Sequence, residues 1–413
     1  MKKTISLGTV IAIVLISIIL TFQITFVAVS GIFSDNYSTN GTSSADADQE
    51  FMSKVVERLS ALDARYRKLY IGELDDEVLI DYILKGYVAG TGDKFGVYYT
   101  GDEYEGFMSD LTGETEGIGV SVIFNMDYQC IEIINVMPDS PALEAGLKAG
   151  DLIVYVGEEK EAVSSLGYNA ALSKLRGAAG TTAVFSVMRD EDSSNLLEFS
   201  ITRAKVEEIN VFSHVCDLDS TVGVIKLTGF DYKTPDQFKG AMEALAGEGC
   251  DKFIIDVRYN PGGELQSVVS ILDYLLPEGP IIRIFDSDDK LVQQHSSDAE
   301  CVNYPIAVLT NGSTASAAEL FTSALRDYEK AVVVGTTTYG KGCMQTTVEM
   351  PDGGALSVTY RMYKPPFSEG YHDIGITPDI EIELDESLAN KNVYKITDEE
   401  DNQLKAALDA LTE

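Results

Sequence analysis

The sequence predicts an α+β protein of several domains, and three observations carry that expectation. At 413 residues the chain exceeds what one hydrophobic core usually organises. Its periodicity changes along the chain, from helical spacing, through closely spaced strands, to strands alternating with helices. A hydrophobic fraction of 45% is ample for globular cores.

The first element is an apolar helix. Lys2 and Lys3 precede an apolar run from Ile5 to Phe33, broken only by Gly, Ser, Thr and Gln23. Such a run spans roughly 30 Å of hydrocarbon. Basic residues before it and Asp35, Asp46 and Asp48 after it predict an N-in, C-out orientation. Residues 1–34 therefore read as an uncleaved signal anchor in the cell membrane, with the remainder extracytoplasmic. Ala28-Val29-Ser30 offers the alternative of a cleaved signal and a secreted product.

Residues 35–50, rich in Ser, Thr, Asn, Gly and Asp, read as a linker. Residues 51–113 form a helical region: Val55, Leu59 and Leu62 share one helical face and Val78, Ile83 and Tyr87 a second, with polar Gly72 to Asp76 between them. Residues 114–204 read as a β-rich module. Its strands are expected at 117–122, 131–136, 151–156, 183–188 and 197–202, with a helix over 164–175. From 205 to 385 short apolar runs at 222–227, 253–257, 306–309 and 331–334 alternate with helical patterns near 235–245 and 264–276, which predicts a mixed α/β core. Residues 386–413 form an acidic tail, with a surface helix expected over 398–411.

Composition narrows the chemistry. A net charge of −35 excludes a nucleic-acid binder, because phosphate contacts need clustered Lys and Arg. The five cysteines are odd in number and lack a CxxC pair, so neither a disulfide scaffold nor a zinc site is expected, and no cofactor is required. Histidine occurs only at 214, 295 and 372. A serine hydrolase built on this chain would need another base.

The stretch 311–346 supplies one. Ser316 stands at the start of a helix whose Ala317, Leu320, Phe321, Ala324 and Leu325 share a face. Alanines at 315, 317 and 318 leave room for another chain beside the serine, and a helix N-terminus offers N–H groups to a developing oxyanion. Lys341 lies between Gly340 and Gly342. As a base it must be largely neutral, and bringing its pKa from ~10.4 to around 7–8 requires roughly 4 kcal/mol of bias against the ammonium. Residues 335–341 also match the first seven positions of a phosphate-binding loop. Gly342 replaces the required Ser or Thr, however, and a strand rather than a helix follows. Gln345, two strand repeats beyond Lys341, is expected on the same face, where it can orient the amine. Cys343 lies between them as a neighbour, not a nucleophile. Asp256-Val257-Arg258-Tyr259-Asn260-Pro261-Gly262-Gly263 ends a buried strand in a glycine turn that can aim N–H groups at a carbonyl oxygen.

Two resemblances follow from these motifs. The Gly117-Ile118-Gly119-Val120 loop, the run from Ser140-Pro141-Ala142 to Gly150-Asp151, and Leu175-Arg176-Gly177 with Gly180-Thr181 resemble a PDZ domain of the bacterial protease type. That resemblance implies capture of a peptide C-terminal carboxylate by the loop, the peptide adding as a strand. The whole set resembles the C-terminal processing, or tail-specific, peptidases: the PDZ module, Asn260-Pro261-Gly262-Gly263, the stretch 313–319, Gly340-Lys341-Gly342 with Gln345, and Gly375-Ile376-Thr377-Pro378-Asp379. It implies a protease core with Ser316 as nucleophile, Lys341 as base and Gln345 as its orienting group. The oxyanion donors fall on Ala317 and one of Gly262 and Gly263, and Arg176 couples tail binding to activity. The implied partners are protein or peptide substrates with apolar C-terminal tails, the membrane, and a second copy of the chain through the N-terminal helices. A catalytically inactive PDZ scaffold is the alternative. One departure is Gly92-Asp93-Lys94-Phe95-Gly96, where relatives commonly show Asp-Pro-Tyr followed by Ser or Thr. It is expected to bear on N-terminal packing and not on the chemistry.

Overall fold

The computed structural model describes residues 44–126, 128–190, 196–388, 391 and 393–412. The proposed anchor over 1–34 lies outside them. Among the described residues no helix is long and apolar enough to cross a membrane. The chain divides into one unit ending at Ile80 and a second from Asp81 onward.

In the first unit the expected helix runs over Ser44–Leu69, so it begins seven residues before the expected 51 and takes in the end of the segment 35–50 read as a linker. The next helix opens at Asp76, after the polar break. Asp75 starts it, accepting from the Glu77 and Val78 N–H groups at 3.1 and 3.3 Å.

The second unit holds three sizeable sheets among the described residues. The β-rich module orders its strands as Val120–Asn125, Cys130–Val136, Leu152–Val156, Thr182–Met188 and Leu196–Thr202, all pairs antiparallel. Ile131, Ile133, Ile153 and Val187 are fully buried in its core. Two local expectations fail here. Residues 114–117 pair with Ala204–Glu207 in a separate two-stranded ribbon, leaving Ile118 and Gly119 as a loop. The helix expected over 164–175 breaks at Gly167 (φ 80°) into Val163–Leu166 and Tyr168–Leu175.

The central sheet runs Val211–Val215, Val222–Leu227, Lys252–Asp256, Ile306–Thr310, Ala331–Gly335 and Ile380–Glu381. Its first pair is antiparallel and the rest are parallel. Strands covered on both faces carry continuous apolar runs, which explains why Phe253–Ile255 and Ile306–Leu309 were legible. Helices Thr234–Gly247, Leu265–Leu275 and Ala317–Asp327 contribute to one core cluster with this sheet. Helix Asn402–Thr412 buries Leu404 and Ala407 in another, with Ile254, Ala307 and Leu309. The C-terminal helix is thus a structural layer and not the surface helix the acidic composition suggested.

The third sheet was largely unforeseen. It joins Val97–Tyr99, Ala355–Lys364, Gly279–Phe285 and Leu291–Ser297, with Cys343–Glu349 pairing to Ala355–Lys364. Helix Gly101–Thr112, with its Thr100–Glu103 capping box, falls within the expected helical region 51–113 as a third helix beyond the two its periodicity marks.

Candidate active site

Three adjacent parallel strands end side by side, Asp256 opposite Leu309 and Thr310 opposite Gly335. From their carboxyl ends leave the loops carrying Gly262 and Gly263, Ser316, and Lys341. Ligands favour this rim of a parallel sheet because the loops converge there.

Ser316 has φ 56° and ψ −118°, a backbone conformation rare outside glycine. Holding it costs about 1–3 kcal/mol, offset by contacts on both sides. The Thr314 hydroxyl donates to the Val257 carbonyl at 2.8 Å and the Ala315 N–H to the Asn260 carbonyl at 2.9 Å. The helix then opens at Ala317, whose N–H belongs to the first turn and has no intrahelical acceptor.

The residue that joins serine and lysine loops is Glu319, fully buried one turn into that helix. Its Oε2 accepts from the Ser316 N–H at 2.9 Å and the Lys341 N–H at 2.7 Å. Its Oε1 accepts from the Gly340 N–H and the Thr338 hydroxyl, both at 2.6 Å. Ser316 and Lys341 therefore hang from one carboxylate oxygen. Glu319 was part of the motif but received no role. Its signal was available: a carboxylate three residues after an N-cap serine is a capping-box spacing.

Gly262 closes the site from the first loop. A Cβ placed on it would stand 2.8 Å from Ser316 Cβ and 2.9 Å from the Ala317 nitrogen, so only glycine fits. Its own N–H donates to Asn260 Oδ1 at 2.8 Å. That commits the Gly262 amide to its own turn.

Lys341 precedes the strand Cys343–Glu349 and is half-buried. Desolvation pushes its pKa below the ordinary 10.5, against opposing contributions from Cys343, Asp93 and Glu319. Its carbonyl accepts from the buried Tyr363 hydroxyl at 2.7 Å. Gly340 packs against Gly375 of the Gly-Ile-Thr-Pro-Asp segment, where the Ile376 N–H donates to the Thr338 hydroxyl at 2.7 Å. Burial also pushes the Cys343 thiol up, away from thiolate character.

Two expectations need correction. The same-face argument for Gln345 does not hold as made, because Lys341 lies outside the strand and a bulge falls between Met344 and Gln345. Gln345 Nε2 instead donates to the Thr359 hydroxyl at 3.2 Å and toward Cys343 Sγ at 3.5 Å. The segment 92–96 is also not remote. The Phe95 ring centroid stands 4.7 Å from Lys341 Nζ, with Tyr339 and His372 packed edge-on against the same ring.

The remaining candidates gather elsewhere. Gly117, Ile118, Gly119 and Val120 line a cavity of about 730 Å³, together with Arg176 and, from outside the β-rich module, Asp110 and Phe212. Gly119 has φ 84° and a Cβ there would strike Ser140 Cβ at 2.3 Å. The Ile118 and Gly119 carbonyls accept from the Ala142 and Met137 N–H groups, which fixes the loop. Arg203 holds the end of the adjacent helix, donating to the Leu175 and Lys174 carbonyls at 2.8 and 2.7 Å. This places Arg176 at the cavity rim.

Known proteins share this architecture. Residues 221–382 match the model of peptidase family S41, and residues 117–197 match that of the PDZ domain. The chain is 30% identical to a CtpA-like serine protease of Staphylococcus saprophyticus over 97% of its own length and 80% of that protein. It is 31% identical to a carboxyl-terminal-processing protease of Synechocystis over 75% of this chain and 72% of that one. An S41 protease structure from Bacteroides fragilis resembles the fold with a TM-score of 0.52 at 19% identity, covering 84% of this chain and 94% of that one. Its PDZ domain, its mixed α/β S41 core and these relatives make the chain a serine protease of the C-terminal processing peptidase family.

Proposed function

We propose that this protein is an endopeptidase in which Ser316 is the nucleophile and Lys341 the general base. The observation that carries the reading is the shared Glu319 carboxylate, which ties both loops to one atom while Gly262 packs on the serine. Lys341 Nζ takes the Ser316 hydroxyl proton as Oγ attacks the peptide carbonyl carbon. The resulting oxyanion lies toward the Ala317 and Gly263 N–H groups. Collapse expels the amine, which leaves with the proton held by Lys341, and water then hydrolyses the acyl-enzyme with the lysine again acting as base. Desolvation of Lys341 favours the neutral amine this cycle requires.

The PDZ cavity supports binding of an apolar C-terminal tail by the loop 117–120, with Arg176 at its rim as the group that senses occupancy. Residues 1–34 serve as an anchor in the cell membrane, so the protease works on its extracytoplasmic side. Exposed Val56, Leu62 and Leu69 support pairing of two copies through the N-terminal helices.

The test uses the purified full-length chain, an unfolded protein with an apolar C-terminus, and the variants Ser316→Ala and Lys341→Ala. Both variants should lose at least 1,000-fold in kcat/KM while still binding the tail. Parental cleavage by both would sink the dyad, and a parent that binds without cleaving would establish the scaffold alternative.

A further inference from the structure

The segment 92–96 links the N-terminal helical region to the site through polar contacts that the assigned residues leave unexplained. The strand Val97–Tyr99 pairs antiparallel with Ala355–Lys364, Val97 facing Ser357. Continuing that register by two residues sets Phe95 opposite Thr359, so the turn before it lies alongside Thr359. There the Asp93 carboxylate accepts twice from one residue. The Thr359 N–H donates to Oδ2 and the Thr359 hydroxyl to Oδ1, both at 2.8 Å. Burial works against the charge of Asp93, but hydrogen bonds from Thr359, Phe95 and Gly96 hold its carboxyl below the ordinary range, so it is an acceptor only.

This has a consequence one bond further on. A hydroxyl has a single proton, and Thr359 spends it on Asp93. Toward Gln345 it can therefore only accept, and it does so from Nε2 at 3.2 Å. Cys343 Sγ takes the same nitrogen at 3.5 Å. With both neighbours accepting from its nitrogen, the amide is held in one orientation, its nitrogen toward Thr359 and Cys343 and its carbonyl oxygen turned away from them.

We propose that Asp93 is a positioning residue for the base: acting through Thr359, it fixes the orientation of the Gln345 amide and so turns its carbonyl oxygen toward the Lys341 amine. The proposal rests on the Ser316–Lys341 reading above. Asp93→Asn tests it isosterically. An amide offers one oxygen to two Thr359 donors, and the obligate backbone N–H takes it. The amide nitrogen then faces Thr359 Oγ1, whose proton turns toward Gln345 and rejects the amide nitrogen there. Thr359→Val removes the relay at nearly constant shape, and Thr359→Ser preserves it.

The experiment measures kcat and KM for the full-length parent, Asp93→Asn, Thr359→Val, Thr359→Ser, the Asp93→Asn/Thr359→Val double variant and Ser316→Ala. Asp93→Asn and Thr359→Val should each lower kcat about tenfold with KM within about twofold, the scale of one mispaired hydrogen bond at the base. Thr359→Ser should keep parental kcat, and the double variant should be no slower than the slower single one, since both break the same relay. Parental kcat in Asp93→Asn and Thr359→Val, with Ser316→Ala inactive, overturns the relay and leaves the dyad standing. Losses that add in the double variant, or that Thr359→Ser shares, also overturn it. Parental activity in Ser316→Ala brings down the dyad and the relay together.

Discussion

Lys341 works as a base only to the extent that its surroundings disfavour the ammonium. Desolvation does so, while Glu319 and Asp93 oppose it, and the net shift is below 10.5. The sign for catalysis follows directly. If Lys341 is the base proposed above, the competent form is the neutral amine, so reactivity at Ser316 rises with pH and levels off above the lowered pKa of Lys341, before an ordinary lysine would have lost its proton. The proposed nucleophile carries its own cost. Ser316 sits at φ 56°, and sequence alone does not reveal backbone strain in a serine.

At the scale of elements, the site is three strand-end loops clamped by one buried carboxylate. Glu319 accepts four hydrogen bonds on two oxygens. Glu319→Gln replaces one acceptor oxygen with a donor that meets N–H or O–H groups head-on. The expected cost is about 1–3 kcal/mol in thermal unfolding, with kcat reduced more than KM because the serine and lysine loops come loose. Ser316, Lys341 and the glycine turn were legible because small residues and glycines cluster where the chain must approach itself closely. The strands beneath them were legible as unbroken apolar runs. Glu319 was not, because a helical glutamate looks the same in sequence whether it faces water or a closed site. The segment 92–96 was misjudged for a related reason: its link to Gln345 runs through Thr359, 266 residues away. The third sheet stayed hidden because strands such as Leu291–Ser297 are polar and largely exposed, so hydrophobic patterning has nothing to mark.

Across the whole molecule, the catalytic rim depends on the far end of the chain. Arg258, buried at the start of the glycine turn, donates to Asp256 at 2.8 and 2.9 Å, to Asp401 at 2.7 Å and to Gln403 at 2.8 Å. It thereby fastens the central strand end to the C-terminal helix. Paired with Arg258 and Lys226, Asp256 stays ionised far below the usual carboxylate range despite its burial. A carboxylate with a lowered folded pKa contributes stability that is present above its unfolded value near 4 and lost only as pH falls through the folded one. Arg258→Ala leaves Asp256 with Lys226 as its remaining cation and strips buried Asp401 of the cation it pairs with. Denaturant titration at neutral pH should show a loss of about 3–5 kcal/mol. A loss below about 1 kcal/mol would mean that the helix is held by its apolar face alone.

The measurement closest to the central claim is the rate at which a serine-directed phosphonate labels the full-length protein as pH is varied, with the adduct located by mass spectrometry. The dyad predicts a single adduct on Ser316, a rate that rises to a plateau with a midpoint below 10.5, and loss of that dependence with most of the rate in Lys341→Ala. Labelling at another residue, or an unchanged pH profile in Lys341→Ala, would contradict it.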